Sequence, residues 1–203
     1  MRDGTALVRR VADLELAPEV FALRGMIRGW RFYDQFRTDA DAAAIQTIME
    51  SGDSAAFARL VSEAFPGAHV DIASDRSGHF MLQVHQPGLL RPLTAPELSD
   101  GTLRYLLWCA ALLTPSPPDL MILNEPENSL HADLIAPLAR LIEQAAVATQ
   151  VWVITHSSAL VNQLKQRTGC YHVRLEKVLG QTEIGGLSSN VLERTPWRWP
   201  DNL

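Results

Sequence analysis

The stretch that decides the fold is PPDLMILNEPENSLH, residues 117–131. Two prolines open it, four apolar residues follow at Leu120, Met121, Ile122 and Leu123, and then Asn124, Glu125, Glu127 and His131 arrive around Pro126. A short apolar run bounded by prolines reads as a strand buried on both faces, the kind found inside a parallel sheet. Such a strand has no structural need to end in an amide and two carboxylates. In open α/β sheets ligands lie beyond the carboxyl ends of the strands, where loops and helix N-termini gather. Asn124 and Glu125 are therefore read as groups delivered to a site.

The pattern on either side fits that reading. Downstream, Leu134, Leu138, Leu141, Ile142 and Ala145 share one helical face, and QVWVITH (150–156) is a second apolar strand with Thr155 and His156 at its end. SSALVNQLKQR then reads as a helix and CYHVRLEKV as a strand. Upstream, ELSDGTLRYLLWCAALL (97–113) is predicted to be a helix starting at Ser99. Alternating helices and strands indicate an α/β layered domain with a parallel sheet. If the two apolar strands are neighbours, Glu125 and His156 face one pocket. A glutamate fixed at a strand end suits a general base, and a histidine beside it suits orienting water or touching a phosphate oxygen. Ser99, Asp100 and Gly101 sit where free N–H groups and the positive end of the helix dipole attract anions, and Gly101 permits close approach to the backbone.

Residues 1–96 read differently. APEVFALRGMIRGW places Val20, Leu23, Ile27 and Trp30 on one face of a short helix, and strand-like WRFY follows. DSAAFARLVSEAF is predicted to be a helix capped by Asp53 or Ser54 and stopped at Pro66-Gly67. HVDIAS and HFMLQVHQ alternate around DRSG, which gives a β-hairpin from about His69 to Gln86. His69, His79, His85 and His172 are expected to face solvent without a role, and His131 to be structural or interfacial rather than catalytic. Trp197 and Trp199 are expected to pack on the domain edge.

Composition sets the outer limits. The chain has 203 residues, 47% hydrophobic and 20% charged, enough for one globular core. A net charge of −5 gives no global basic footprint for nucleic acid. Cys109 and Cys170 lack CxxC or Cys/His spacing, so neither a disulfide framework nor a zinc site is indicated. No apolar run reaches the roughly 18 residues of a membrane span, and a cytoplasmic location is expected.

Three blocks carry a resemblance. LSDGT, MILNEPENSLH and VITHSS, in that order across roughly residues 97–160, resemble the signature motif, the Walker B strand with D-loop, and the switch region of ABC-type ATPases of the RecF/SMC/Rad50-like group. The resemblance implies a P-loop NTPase-like layered domain, with residues 1–96 as its helical and β-hairpin region and 97–203 as its C-terminal half. Glu125 would polarise the attacking water, Asn124 would stand where an aspartate normally holds the water shell of Mg²⁺, and His156 would contact the γ-phosphate. Ser99, Asp100, Gly101 and Ser129 would serve nucleotide binding, the first group acting on ATP held by a second subunit. ATP and Mg²⁺ are then the expected ligands, and a homodimer closed on nucleotide the expected assembly, with DNA or an effector protein as a further partner and no membrane. Such heads serve DNA repair, chromosome handling or defence against phages.

Two features depart from that pattern. Asn124 lacks the charge of the usual aspartate, and the chain contains no GxxxxGK[ST] phosphate loop. The 203 residues are accordingly expected to be part of a longer protein, or a chain from which segments are missing. The alternative is a non-catalytic interaction module derived from an ATPase half. A hydrolase using Glu125 and His156 on another substrate is disfavoured, since no GxSxG elbow occurs.

Overall fold

The computed structural model describes residues 18–33, 42–74, 80–167, 169–178 and 180–185. The chain divides into two compact units between Leu164 and Lys165.

In the first unit the decisive stretch forms β5 (Leu120–Asn124), the middle of a three-stranded sheet. It is flanked by β1 (Arg31–Tyr33) and β6 (Gln150–Ile154), both parallel to it. The register sets Tyr33, Leu123 and Val153 side by side, and likewise Phe32, Ile122 and Trp152. Because side chains alternate across a strand, these rows lie on opposite faces. The first row packs onto the core, where Met121 and Leu123 are fully buried. The second does not: Phe32 is 64% exposed and Trp152 54%. β5 itself is buried at Leu120, Met121 and Leu123 and half-buried at Ile122, as expected of it, and the exposure on the second face falls on its neighbours β1 and β6.

The covered face meets helices. α4 (Asp100–Leu112) and α5 (Ile135–Ala145) bury Leu106, Leu112, Leu138 and Leu141, and α5 links β5 to β6 after a 3₁₀ turn at Ala132–Leu134. α3 (Ser54–Ala64) joins the same core through Phe57, Leu60 and Val61, and the Asp53 carboxylate accepts from the Ala56 N–H at 2.8 Å as its cap. Arg140 of α5 pairs with Glu63 of α3 at 2.8 Å, and the Tyr105 hydroxyl donates to the Leu60 carbonyl at 3.2 Å. α2 (Ala42–Ser51), which adds Ile45 and Ile48 to the core, escaped the sequence reading. In α1 (Pro18–Gly29) Leu23 and Ile27, read as part of an apolar face, are exposed.

The hairpin lies where it was expected. β2 (His69–Ser74) pairs antiparallel with β3 (Phe80–His85), and the short β4 (Leu93–Thr94) adds a third strand. Val70, Leu82 and Val84 turn inward, leaving His69, Asp71 and Gln83 on the outer face. α6 (Ser158–Lys165) follows β6.

The second unit holds a correction. Cys170–Arg174 is irregular, so His172 lies outside any strand, and β7 (Leu175–Val178) pairs antiparallel with β8 (Gln181–Ile184) rather than joining the parallel sheet. Gly180 at φ +87° makes the tight connection possible. Asp75–Gly78, His79, residues 34–41, Trp197 and Trp199 lie outside the described residues.

Candidate active site

Parallel pairing of β5 with β6 sets Asn124 opposite Ile154, and the ladder continues one step as the Glu125 N–H donates to the Ile154 carbonyl at 2.8 Å. The chain then turns sharply. Glu125 has φ +47° and Ser129 φ +63°, left-handed conformations that cost a non-glycine residue energy and that cluster at functional sites. Asn128 stabilises the turn twice, its N–H donating to the Glu125 carbonyl at 3.0 Å and its side-chain amide to Glu125 Oε2 at 2.5 Å. Beneath, the buried Trp108 indole N–H of α4 donates to the Pro126 carbonyl at 2.9 Å. The turn is therefore anchored from the strand, from itself and from the helix.

His156 sits at the end of β6 with its side chain 87% exposed, and its Nε2 lies 3.5 Å from Glu125 Oε1. The two strand ends thus bring a carboxylate and an imidazole together, as the sequence predicted if the strands were neighbours. At that separation they are in reach of one water or one phosphate oxygen, and neither consumes the other in a short hydrogen bond.

Glu127 was missed by the sequence reading and does structural duty here. Its Oε1 accepts from the Thr155 hydroxyl and, at 3.2 Å, from the Ser157 N–H, so one carboxylate ties the turn after β5 to the loop after β6. Its Oε2 is buried without a hydrogen-bond partner. The second acid of NEPE, facing Thr and Ser after the next strand, was the available signal. Ser157 in turn caps α6, its hydroxyl accepting from the Leu160 N–H at 3.2 Å.

Ser99, Asp100 and Gly101 form a second group. Ser99 is the N-cap of α4, its hydroxyl accepting from the Thr102 N–H at 3.2 Å. Gly101 abuts the turn after β5: a Cβ there would lie 3.1 Å from the Ser129 carbonyl oxygen and 3.9 Å from Leu130 Cα. The missing side chain thus admits the protein's own backbone and sets Ser129 against the helix start. Neither Ser99 nor Asp100 makes a hydrogen bond or ion pair with Glu125 or His156 among the described residues. His131 caps the 3₁₀ turn, its Nδ1 accepting from the Asp133 N–H at 3.3 Å, which is the structural part expected of it.

Two comparisons bear on this geometry. Residues 17–162 match the family described as "AAA domain, putative AbiEii toxin, Type IV TA system". The chain belongs to that AAA family. Among solved structures, one from work on ATP-driven dimerization and DNA-stimulated activation of SMC ATPases superposes with a TM-score of 0.55 at 14% identity, covering 81% of this AAA chain and 100% of the other. The SMC head domain from Thermotoga maritima gives 0.53 at 21%, covering 79% and 54%. The Smc head from Pyrococcus furiosus, bound to the C-terminal domain of ScpA, gives 0.53 at 14%, covering 73% and 36%. The AAA chain thus spans one of these relatives fully and between about a third and a half of the other two. At these identities the likeness shows the fold, a P-loop NTPase-like layered α/β domain of the RecF/SMC kind. No helix among the described residues is long and apolar enough to cross a membrane.

Proposed function

We propose that this AAA-family chain is the Glu- and His-bearing half of an ATPase head, with residues 97–203 carrying the chemistry and 1–96 forming the helical and hairpin region. The observation that carries the reading is the meeting of Glu125 and His156 at 3.5 Å across two parallel strand ends. Glu125 accepts a hydrogen bond from a water, holds it in line and takes its proton; its backbone, fixed to Ile154, keeps the carboxylate from drifting. His156, almost fully exposed, donates toward a terminal phosphate oxygen of ATP. Asn124 and Glu125 offer the hard oxygen donors that Mg²⁺ takes, which fits the ion, and when bound Mg²⁺ would neutralise charge on the phosphates. Asn124 supplies a neutral oxygen, so it positions metal-bound water with less pull than a carboxylate.

Ser99, Asp100, Gly101 and Ser129 line the start of α4, and in this reading they meet nucleotide held by a second copy, giving a homodimer closed on Mg-ATP. The SMC relatives noted above, one of them from work on ATP-driven dimerization and DNA stimulation, support a conformational output of this type, and DNA or an effector protein is the natural target. Repair, chromosome handling and phage defence are the settings in which such a switch operates.

The test is Glu125→Gln in the full-length protein. Turnover is expected to fall by on the order of 10²-fold or more, while ATP-dependent dimers persist in size-exclusion chromatography. Wild-type turnover in that variant would remove Glu125 from the mechanism.

A second reading is favoured by one observation, the uncovered sheet face with Phe32, Trp152 and Ile154 exposed. In it the chain is a docking module that binds a partner through that face and hydrolyses nothing. ATP turnover by the full-length protein distinguishes the two: a docking module hydrolyses none.

A further inference from the structure

We propose that His69, Asp71 and His85 form a binding site for one divalent transition-metal ion of the zinc class on the outer face of the β2–β3 hairpin. The three donor atoms lie within 4.8 Å of one another. Register explains why: His69 is the direct cross-strand partner of His85, and Asp71 follows on the same face two residues along β2. Opposed positions on an antiparallel pair hold side chains close together, and i, i+2 positions share a face.

The spacing suits a tetrahedral ion. Asp71 Oδ2 lies 3.1 Å from His85 Nε2 and 3.8 Å from His69 Nε2. Zinc bonds of about 2.0–2.1 Å place neighbouring tetrahedral donors about 3.3 Å apart, between those two values. The imidazoles stack with centroids 4.3 Å apart and planes 5° from parallel, His69 exposed and His85 half-buried, and a small turn of the exposed His69 ring would close the remaining edge. A neutral imidazole offers the nitrogen lone pair that a metal takes. Two imidazoles and one carboxylate select zinc, nickel or copper over magnesium, which prefers oxygen alone. A fourth position is left to water.

The backbone beneath is already set. Gly67, at φ +78°, lies so close to Pro87 that a Cβ would stand 2.6 Å from Pro87 Cγ, which locks together the two chain segments that lead into His69 and out of His85. On the inner face Val70 and Val84 are buried beside them. The ion would join the open ends of the hairpin, well separated in sequence from Asn124 and Glu125.

The test is a ZnCl₂ titration by calorimetry in excess MgCl₂, which occupies oxygen-donor sites, on the full-length Cys170→Ser protein, which lacks the exposed thiol. One zinc per chain is expected, weakened roughly 10- to 100-fold or more by adding His69→Gln with His85→Gln, and by Asp71→Asn. Zinc should also raise the melting temperature of the parent and leave that of the histidine variant unchanged. These positions are on the surface, and circular dichroism checks that each variant folds. No zinc uptake by the parent, or equal uptake by the histidine variant, overturns the proposal.

Discussion

Gly101 shows how a single residue couples the two motifs of the site. Were it only a place where an anion approaches the backbone, alanine would be tolerated and would even favour the helix by about 0.5–1 kcal/mol. Its Cβ, however, would press to 3.1 Å on the Ser129 carbonyl, held by the left-handed turn and by the bond from the Leu130 N–H to Glu127. Overpacking of that kind costs about 1–3 kcal/mol. Gly101→Ala is therefore expected to lower the urea midpoint by a net loss of about 1 kcal/mol. A midpoint unchanged or raised would mean that the turn yields freely and does not lock the helix start.

At the scale of elements, the approach to α4 is governed by the 3₁₀ turn Ala95–Glu97. Arg91 grips Glu97 with two N–H groups at 2.6 and 3.0 Å, and Glu97 also accepts from the Thr94 N–H and hydroxyl, completing a capping box. The Arg91 hydrogen bonds, followed by those from Thr94, lower the Glu97 pKa from the ordinary 4.5 to about 2. A depressed carboxylate pKa stabilises the folded state above about pH 4.5, and that contribution fades as pH falls toward about 2. Glu97→Gln should melt below wild type at neutral pH, with the gap closing across that window; a gap independent of pH would count against the ion pair. This box was not read from the sequence, although T-A-P-E carries its signature. α4 and α5 were legible because their apolar periods agree with their burial, β5 and β6 because they are short apolar runs between turn signals, and Glu125 and His156 because they interrupt those runs. α2 was hidden in an alanine-rich run, and β8 by its low hydrophobicity. The pairing of β7 depends on a turn around Gly180, which periodicity does not encode. Glu127 escaped because its partners, Thr155 and the Ser157 N–H, become neighbours only once the sheet forms.

Across the first unit, the sheet buries Leu123 on one face and exposes Trp152 on the other. Leu138, fully buried, sits in the core, and Leu138→Ala should cost about 2–5 kcal/mol in chemical denaturation. Trp152→Thr, on the uncovered face, should stay within about 0.5 kcal/mol. A large loss at Trp152 would show that this face is buried in solution by a partner or another copy. The Glu127 carboxylate sets how the site responds once anything binds there. With Glu127 of the turn after β5 accepting from Thr155 and Ser157 of the loop after β6, the two cannot wander independently. Their joint freedom is that of one body, so a ligand that stills His156 also stills Glu125. The conformational entropy surrendered on binding is then close to that of a single loop.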